Sequence, residues 1–422
     1  MLNDVVIVGA GPVGATLALA LAGGDLDVVS LDARARDTLA SGDRSLALSH
    51  GARLIFDRLG VWSAVAGTAG AVTAITAIDV SQRGGFGAAR LDAHEHGVPA
   101  LGYVVSYRAL QAALDAKLAR AGLPVDHGVT VSKVDATPAY ARIRGEREGA
   151  ACEWTARLAA VADGGGDVVA GNVRHRHDYK QVALVAKLWR NEAHRGVAYE
   201  RFTPEGPMAL LPEGDHYGLV WTTTPEQGRS LAAMPESEFL AALAARFGAR
   251  VGGFLKSEDR RTFPLSLEFA GTVVGARTVL LGNAAQALHP VAGQGFNLGV
   301  RDAYELAQLL LATPRDRLGA TTSLSAYARG RLADRWVGIA LTHGLLEVFG
   351  SDAALLRWPR GLALTLLDAM PPLKRIFTHA LLSVFGNDMA LLRWPRGLAL
   401  TLLDAFPPLK RSFTRAMLFG VR

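Results

Sequence analysis

The sequence predicts an α/β protein: a doubly wound domain with an inserted β-rich domain and a helical tail. Three observations lead there. The first 32 residues read as strand, glycine turn, helix and second strand; short alternating strands fill the middle of the chain; and a strand, loop and helix return between Thr278 and Leu311. Such alternation of β and α patterns at both ends, with β-rich sequence between, is the signature of a layered domain split by an insertion.

The 422 residues, half of them hydrophobic, suffice for a large core divided among two or three domains. One cysteine, Cys152, excludes an internal disulfide and is too few for a cysteine-held metal, so a reducing compartment and an inert packed thiol are expected. The chain runs from its start into the apolar strand Val5-Val6-Ile7-Val8, without the basic segment of a secretion signal, and every longer apolar stretch is broken by Asp, Arg or paired prolines. A cytoplasmic protein, or one resting peripherally on the inner membrane, is expected. The formal charge of +6 is concentrated: Gly350 to Arg422 hold ten Lys/Arg against four Asp/Glu, a difference of +6, and the body is neutral. Nucleic acid is therefore not an expected partner.

The first element in order is the strand Asp4–Gly9, followed by Gly9-Ala10-Gly11-Pro12-Val13-Gly14 and a helix through Ala22. Gly9 permits the tight turn, Gly11 admits a pyrophosphate close to the backbone, and Gly14 allows helix and strand to pack, with the helix N-terminus facing the phosphates. The next strand, Val28–Leu31, ends at Asp32, placed to accept from the hydroxyls of an adenosine ribose. An acidic residue here disfavours a 2′-phosphate. This unit predicts a dinucleotide but leaves FAD and NAD open.

The second element is the stretch Thr278 to Gly299, with Gly282-Asn283, then His289-Pro290-Val291-Ala292-Gly293-Gln294-Gly295-Phe296-Asn297. It resembles the flavin-contacting segment of the FAD-dependent aromatic hydroxylases, most closely their ubiquinone-biosynthesis branch. Most of that family has aspartate where Asn283 stands; asparagine is familiar in the ubiquinone branch. The resemblance implies that Gly282 and Asn283 meet the ribityl chain and that the loop His289, Pro290, Gly293, Gln294 and Gly295, with Asn297, faces the flavin. A helix starting near Gly295 and running to Leu311 would direct its positive end at the flavin pyrimidine, where charge accumulates on reduction.

Between these two units the family's other signatures follow in order. Gly42-Asp43-Arg44-Ser45 resembles the segment whose arginine reaches the flavin side. Ser106-Tyr107-Arg108 resembles the helix start whose arginine meets the diphosphate, with Ser106 where relatives often carry an acid. Asp163-Gly164 resembles the central Asp-Gly pair, but the serine and arginine many relatives place after it are replaced by Gly165-Gly166-Asp167-Val168. No second glycine fingerprint accompanies a strand and helix, which fits NAD(P)H docking transiently beside the flavin. The implied layout is an FAD-binding domain in two parts, 1–175 and 266–349, a β-rich substrate domain at 176–265 joined by strands near 72–102, and a tail at 350–422.

On the substrate side, Val182–Ala186 and Tyr217–Trp221 read as strands, and Tyr199–Pro212 resembles the family strand that closes the ring pocket. Phe202, Pro207, Leu210 and Trp221 are its expected apolar wall. No Ser/His/Asp set, metal-ligand spacing or carboxylate pair is visible, and no side chain is assigned a catalytic role, because in this family the cofactor carries the chemistry. The resemblance implies hydroxylation of a polyprenylated phenol with FAD, NAD(P)H and O2. Hydroxylation of a smaller soluble aromatic, FAD-dependent reduction of isoprenoid double bonds, and a non-catalytic flavoprotein of a biosynthetic complex are the alternatives.

The tail repeats itself: 350–385 recur as 386–421, with Leu355 to Ala369 returning unchanged as Leu391 to Ala405. Each copy reads as a helix opened by Trp-Pro, stopped by a double proline and followed by a basic amphipathic helix. One copy is expected to dock on the FAD domain; the other is a candidate for a second subunit, a partner enzyme or an anionic membrane.

Overall fold

The computed structural model describes residues 2–36, 44–83, 87–287, 294–332, 365 and 368–370. The first strand, Leu2–Val8, is buried from Asp4 onward. A strand buried on both faces needs neighbours on both edges, and it has them: Ala150–Val161 and Val28–Asp32, both parallel to it. The parallel series continues to Thr278–Leu280 on one side and Val125–His127 on the other. Parallel order requires crossovers over the sheet faces. One is the helix Pro12–Leu21, with nine of its ten residues buried, and helices Tyr107–Arg120 and Gln294–Leu311 pack beside it. Val5, Ile7, Leu17, Leu158 and Val279 form the core under these helices. The opposite face is covered by the antiparallel pair Val129–Ala136 and Ala141–Arg147, closing a second core around Val6, Val8, Leu31, Val134 and Ile143. The outer layer on that side of a Rossmann-like sheet is thus made of strands. Cys152 lies half-buried at the edge of this layer.

A second, eight-stranded sheet contains the short strand Gln286–Ala287 at one edge, the 17-residue strands Phe254–Ala270 and Arg174–Arg190, then His216–Thr223, Gly206–Glu213 and Val197–Thr203, with Ala77–Gln82 and Ala88–Asp92 completing it. Ala77–Gln82 joins parallel to Val197–Thr203, so strands from the first part of the chain enter this sheet. The segment expected as one strand from Tyr199 to Pro212 is instead a hairpin. Pro204 cannot donate to a ladder, Gly206 adopts φ +137, and the Thr203 hydroxyl donates to the Gly206 carbonyl, so the chain reverses there. Helices Pro225–Ala233 and Glu236–Phe247 cover one face of the sheet, where Leu184, Leu188, Met208, Leu219, Phe239 and Phe247 are buried together.

A three-stranded sheet joins the two: Ser45–Ser49, Gly102–Ser106 and Val72–Ile75. Its Ile75 and Val104 pack against Ala198 and Leu211 of the large sheet. The last described helix, 321–332, is pinned to Gln294–Leu311 by ions: Arg331 donates to Asp302 (2.6 Å) and Glu305 (3.1 Å). Burial alone would raise the Glu305 carboxyl, but Arg331 and Arg301 hold it below its usual range. Most of the duplicated tail lies outside the described residues. From its first copy, Asp368 accepts the backbone N–H of Arg90 at 3.1 Å. The described contact is therefore with the edge strand of the large sheet rather than with the parallel sheet. Among the described residues no helix is long and apolar enough to cross a membrane.

Candidate active site

The glycine turn is built from backbone against backbone. Gly9 has φ +99, and a Cβ there would stand 2.5 Å from the Ala162 carbonyl oxygen. A Cβ on Gly14 would lie 1.8 Å from the Gly9 oxygen. Gly11 differs, since nothing lies within 4 Å of its would-be Cβ. It is the N-cap of Pro12–Leu21, no side chain caps that helix, and the first-turn N–H groups of Val13 and Gly14 face the space that Gly11 leaves clear. This open cradle at a helix N-terminus fits a pyrophosphate.

Asp32 ends the second strand, 6% exposed. One oxygen accepts the Ala10 N–H (2.7 Å), and the other accepts the Arg34 N–H (2.8 Å) and Nε (3.2 Å). Its first work is to hold the glycine turn to the strand; each oxygen keeps further acceptor capacity for a ribose hydroxyl. Gln111 adds a hydrogen bond to the Ala10 carbonyl and one to Asp115, which pairs with Arg34. Gln111, Asp115 and Arg34 were not legible as site residues, because only the folded turn brings them together.

Gly282 and Asn283 begin a short turn after Thr278–Leu280. Gly282 has φ +57 and rests against Val13, and a Cβ on Gly299 would meet the Gly282 Cα at 2.9 Å, so the starts of the two cofactor-side helices touch through glycine. The Asn283 side chain is exposed, while its carbonyl and that of Ala284 accept from Arg174 (2.8 and 3.2 Å). Glu268 receives the Nε of the same guanidinium at 3.1 Å. Arg174 orders the turn from the neighbouring sheet; sequence reading missed it, since it opens a long strand with no local pattern to mark it.

Asp163 follows the parallel strand Ala150–Val161. It accepts the Gly165 N–H at 3.0 Å and closes its own turn, in which Gly164 and Gly165 have φ +89 and +119. Burial pushes its carboxyl up against the lowering effect of the Gly165 and Gly166 N–H groups. The exposed Arg44 guanidinium lies over the Tyr107 ring, 4.4 Å from its centroid. Ser106 caps the helix Tyr107–Arg120 by accepting the Ala109 N–H, which places Arg108 exposed in the first turn. Asn297 bridges its helix to Ser45–Ser49: its Oδ1 accepts the Ser49 N–H (2.8 Å) and its Nδ2 donates to the Ala47 carbonyl (2.9 Å). His289, Pro290 and Gly293 lie outside the described residues, as does the Gln294 side chain; Gln294 and Gly295 open the final helix of this site.

The four expected wall residues do not share a wall. Strand pairing puts Phe202 beside Pro207 on the face that also carries Ala198 and Leu211, the face turned toward the three-stranded sheet. Leu210 and Trp221 point the other way, into the core under Glu236–Phe247, and are 0% and 2% exposed. Alternation fixes this split once the register is known; the sequence alone does not reveal the phase. Among the described residues no cluster of metal-ligating side chains exists.

A parallel nucleotide-binding sheet with its glycine cradle, joined to a mostly antiparallel sheet by a small connector, is the architecture of a flavoprotein oxidoreductase. The FAD-binding-domain family model matches residues 3–337, and the chain belongs to that family, in its ubiquinone-biosynthesis hydroxylase branch. It is 33% identical over 392 residues to ubiquinone hydroxylase UbiL of Rhodospirillum rubrum, covering 89% of this chain and 88% of that one. It is 27% identical over 396 residues to ubiquinone hydroxylase UbiM of Neisseria meningitidis, covering 89% and 83%. Among solved structures, p-nitrophenol 4-monooxygenase PnpA of Pseudomonas putida shares the fold at a TM-score of 0.74 and 17% identity, over 92% of this chain and 99% of that one.

Proposed function

We propose that this flavoprotein monooxygenase hydroxylates the ring of a polyprenylated phenol in ubiquinone biosynthesis, with NAD(P)H as transient reductant and O2 as oxygen donor. The observation that carries the reading is its similarity, over 89% of its length, to the ubiquinone hydroxylase of Rhodospirillum rubrum. On this reading 1–175 and 266–349 bind FAD, 176–265 with strands near 72–102 bind substrate, and the basic tail makes peripheral contact with a membrane or partner enzyme.

The residues suit the cofactor part by part. Gly9, Gly11, Pro12, Val13 and Gly14 would hold the pyrophosphate at the helix N-terminus, with Arg108 near it. Asp32 would take the ribose hydroxyls, Gly282 and Asn283 the ribityl chain, and Arg44 and the turn of Asp163 and Gly164 the flavin side. Gly293, Gln294, Gly295 and Asn297 would set the helix dipole beneath the pyrimidine. Bound there, the flavin supplies activation of O2 for transfer of one oxygen atom to an electron-rich ring carbon. The protein's share is to hold the ring at that point, with Phe202 and Pro207 against it, and to keep water away.

The test is turnover of a prenylated phenol under 18O2. The reading expects one labelled oxygen in the product and phenol-stimulated NAD(P)H oxidation. Oxygen-independent saturation of the prenyl double bond, or NAD(P)H oxidation indifferent to the phenol, contradicts it.

A further inference from the structure

Glu200 sits where an apolar wall is otherwise complete. Its register partners are Val80 on one side and Ala209 on the other, and the row continues through Val220 to Val185. Directly paired residues share a sheet face, so this row lies on the face that carries Phe202 and Pro207. Ala198 and Leu211, one step back along the strands, are covered by Ile75 and Val104. The row through Glu200 lies beyond that cover, and every member of it is only partly buried. Glu200 is surrounded by protein yet keeps accessible surface, as a side chain on the wall of a recess does.

Among the described residues Glu200 has neither a hydrogen-bond nor an ion-pair partner. The other ionisable side chains on this face are elsewhere engaged or distant. Glu213 and His216 lie together at the end of their hairpin, and Lys187 pairs with Asp259. Arg261 stands four strands away along the row. In the strands packed above, Val72–Ile75 and Gly102–Ser106, the ionisable side chain is Tyr103, which packs on Trp62 toward the helices. A buried polar group without a partner is costly to keep.

We infer that Glu200 is the hydrogen-bond partner of the substrate's phenolic hydroxyl, with Ala209, Val220 and Val185 carrying the apolar part of the same molecule. This deepens the hydroxylase reading and rests on it. A carboxylate there selects a ring bearing a free hydroxyl over its ether, and accepting the O–H hydrogen bond enriches the ring carbons that receive oxygen. Burial pushes the Glu200 carboxyl up to about 8, so the ordinary pH range spans both of its forms.

The test uses the FAD-loaded full chain and two probes, a phenol carrying one prenyl unit and its methyl ether, titrated by the change in the flavin spectrum. As pH rises from 6 to 9 the carboxylate forms; the phenol, a donor, binds it more tightly, and the ether, which cannot donate, binds less tightly. The parent should prefer the phenol about ten- to hundredfold at pH 9, and less at pH 6. Glu200→Leu should abolish that preference, and Glu200→Gln, nearly identical in shape, should remove its pH dependence; both should keep the FAD spectrum. An unchanged, pH-dependent preference in Glu200→Gln overturns the inference while leaving the hydroxylase reading intact. Failure of the parent to respond to either probe removes the reading on which the inference stands.

Discussion

The two halves of the proposed site, one for cofactor and one for substrate, are built from different materials. The cofactor half is backbone: Gly9, Gly14, Gly282 and Gly299 approach neighbouring main chain or Val13 so closely that a single Cβ disturbs them. The substrate half is side chain: one sheet face is dry core under two helices, and the other is a partly open wall that contains Glu200. A backbone site tolerates almost no substitution and recognises what every dinucleotide shares. A side-chain wall tolerates exchange and can be tuned to one ring. The comparison predicts that substitutions in the first half affect folding and FAD, and those in the second affect substrate choice.

The largest combined effect on folding and FAD content is expected at Gly14→Ala, whose Cβ would lie 1.8 Å from the Gly9 oxygen. Overpacking of this kind costs about 1–3 kcal/mol and more where backbone must move. Thermal unfolding and FAD content should both fall; a variant with parental FAD content and stability would break the contrast at its strongest point. Trp221→Ala tests the dry face. It should lower stability by about 3–5 kcal/mol in denaturant unfolding, while the phenol-to-ether preference of the folded fraction stays parental. A changed preference would mean that Trp221 reaches the ring after all. Asn297→Ala removes two part-buried hydrogen bonds, from the Ser49 N–H and to the Ala47 carbonyl, at about 0.5–1.5 kcal/mol each. Full parental stability would show that this bridge does not fasten the final helix.

Glu200→Gln is the mildest change in shape, and the size of its effect on stability depends on pH. The folded-state pKa of Glu200 is raised above the ordinary value, so the parent is least penalised below about 4.5 and loses stability as pH rises through about 8. The variant's Tm should equal the parent's at pH 4 and exceed it at pH 9. A pH-independent difference would mean that the carboxyl is not held in its neutral form.

The cofactor half was largely legible because its signals are local. Strand, Gly9-Ala10-Gly11-Pro12-Val13-Gly14, helix and terminal Asp32 lie within 32 consecutive residues, and each glycine has one steric reason. The substrate half was legible as strands but not as faces. Leu210 and Trp221 looked as fit for a pocket as Phe202 and Pro207, and only the register showed which pair turns toward the connector sheet. The hairpin at Pro204–Gly206 does carry a turn signal, Pro-Glu-Gly, which the resemblance to a single family strand overrode. Arg174 and Glu200 gave no sequence signal, because their meaning comes from neighbours more than a hundred residues away: Asn283 for one, Val80 for the other.

The most direct test of the central claim is the FAD titration of Gly11→Leu. This glycine has nothing within 4 Å of its would-be Cβ, so the side chain has room in the protein itself and obstructs only what the cradle receives. The account predicts a folded apoprotein with parental circular dichroism and unfolding, and an FAD dissociation constant raised about hundredfold, as expected from the loss of one or two charge-assisted hydrogen bonds to phosphate. Parental FAD affinity in the folded variant would contradict it, because the pyrophosphate would then lie somewhere other than the glycine turn.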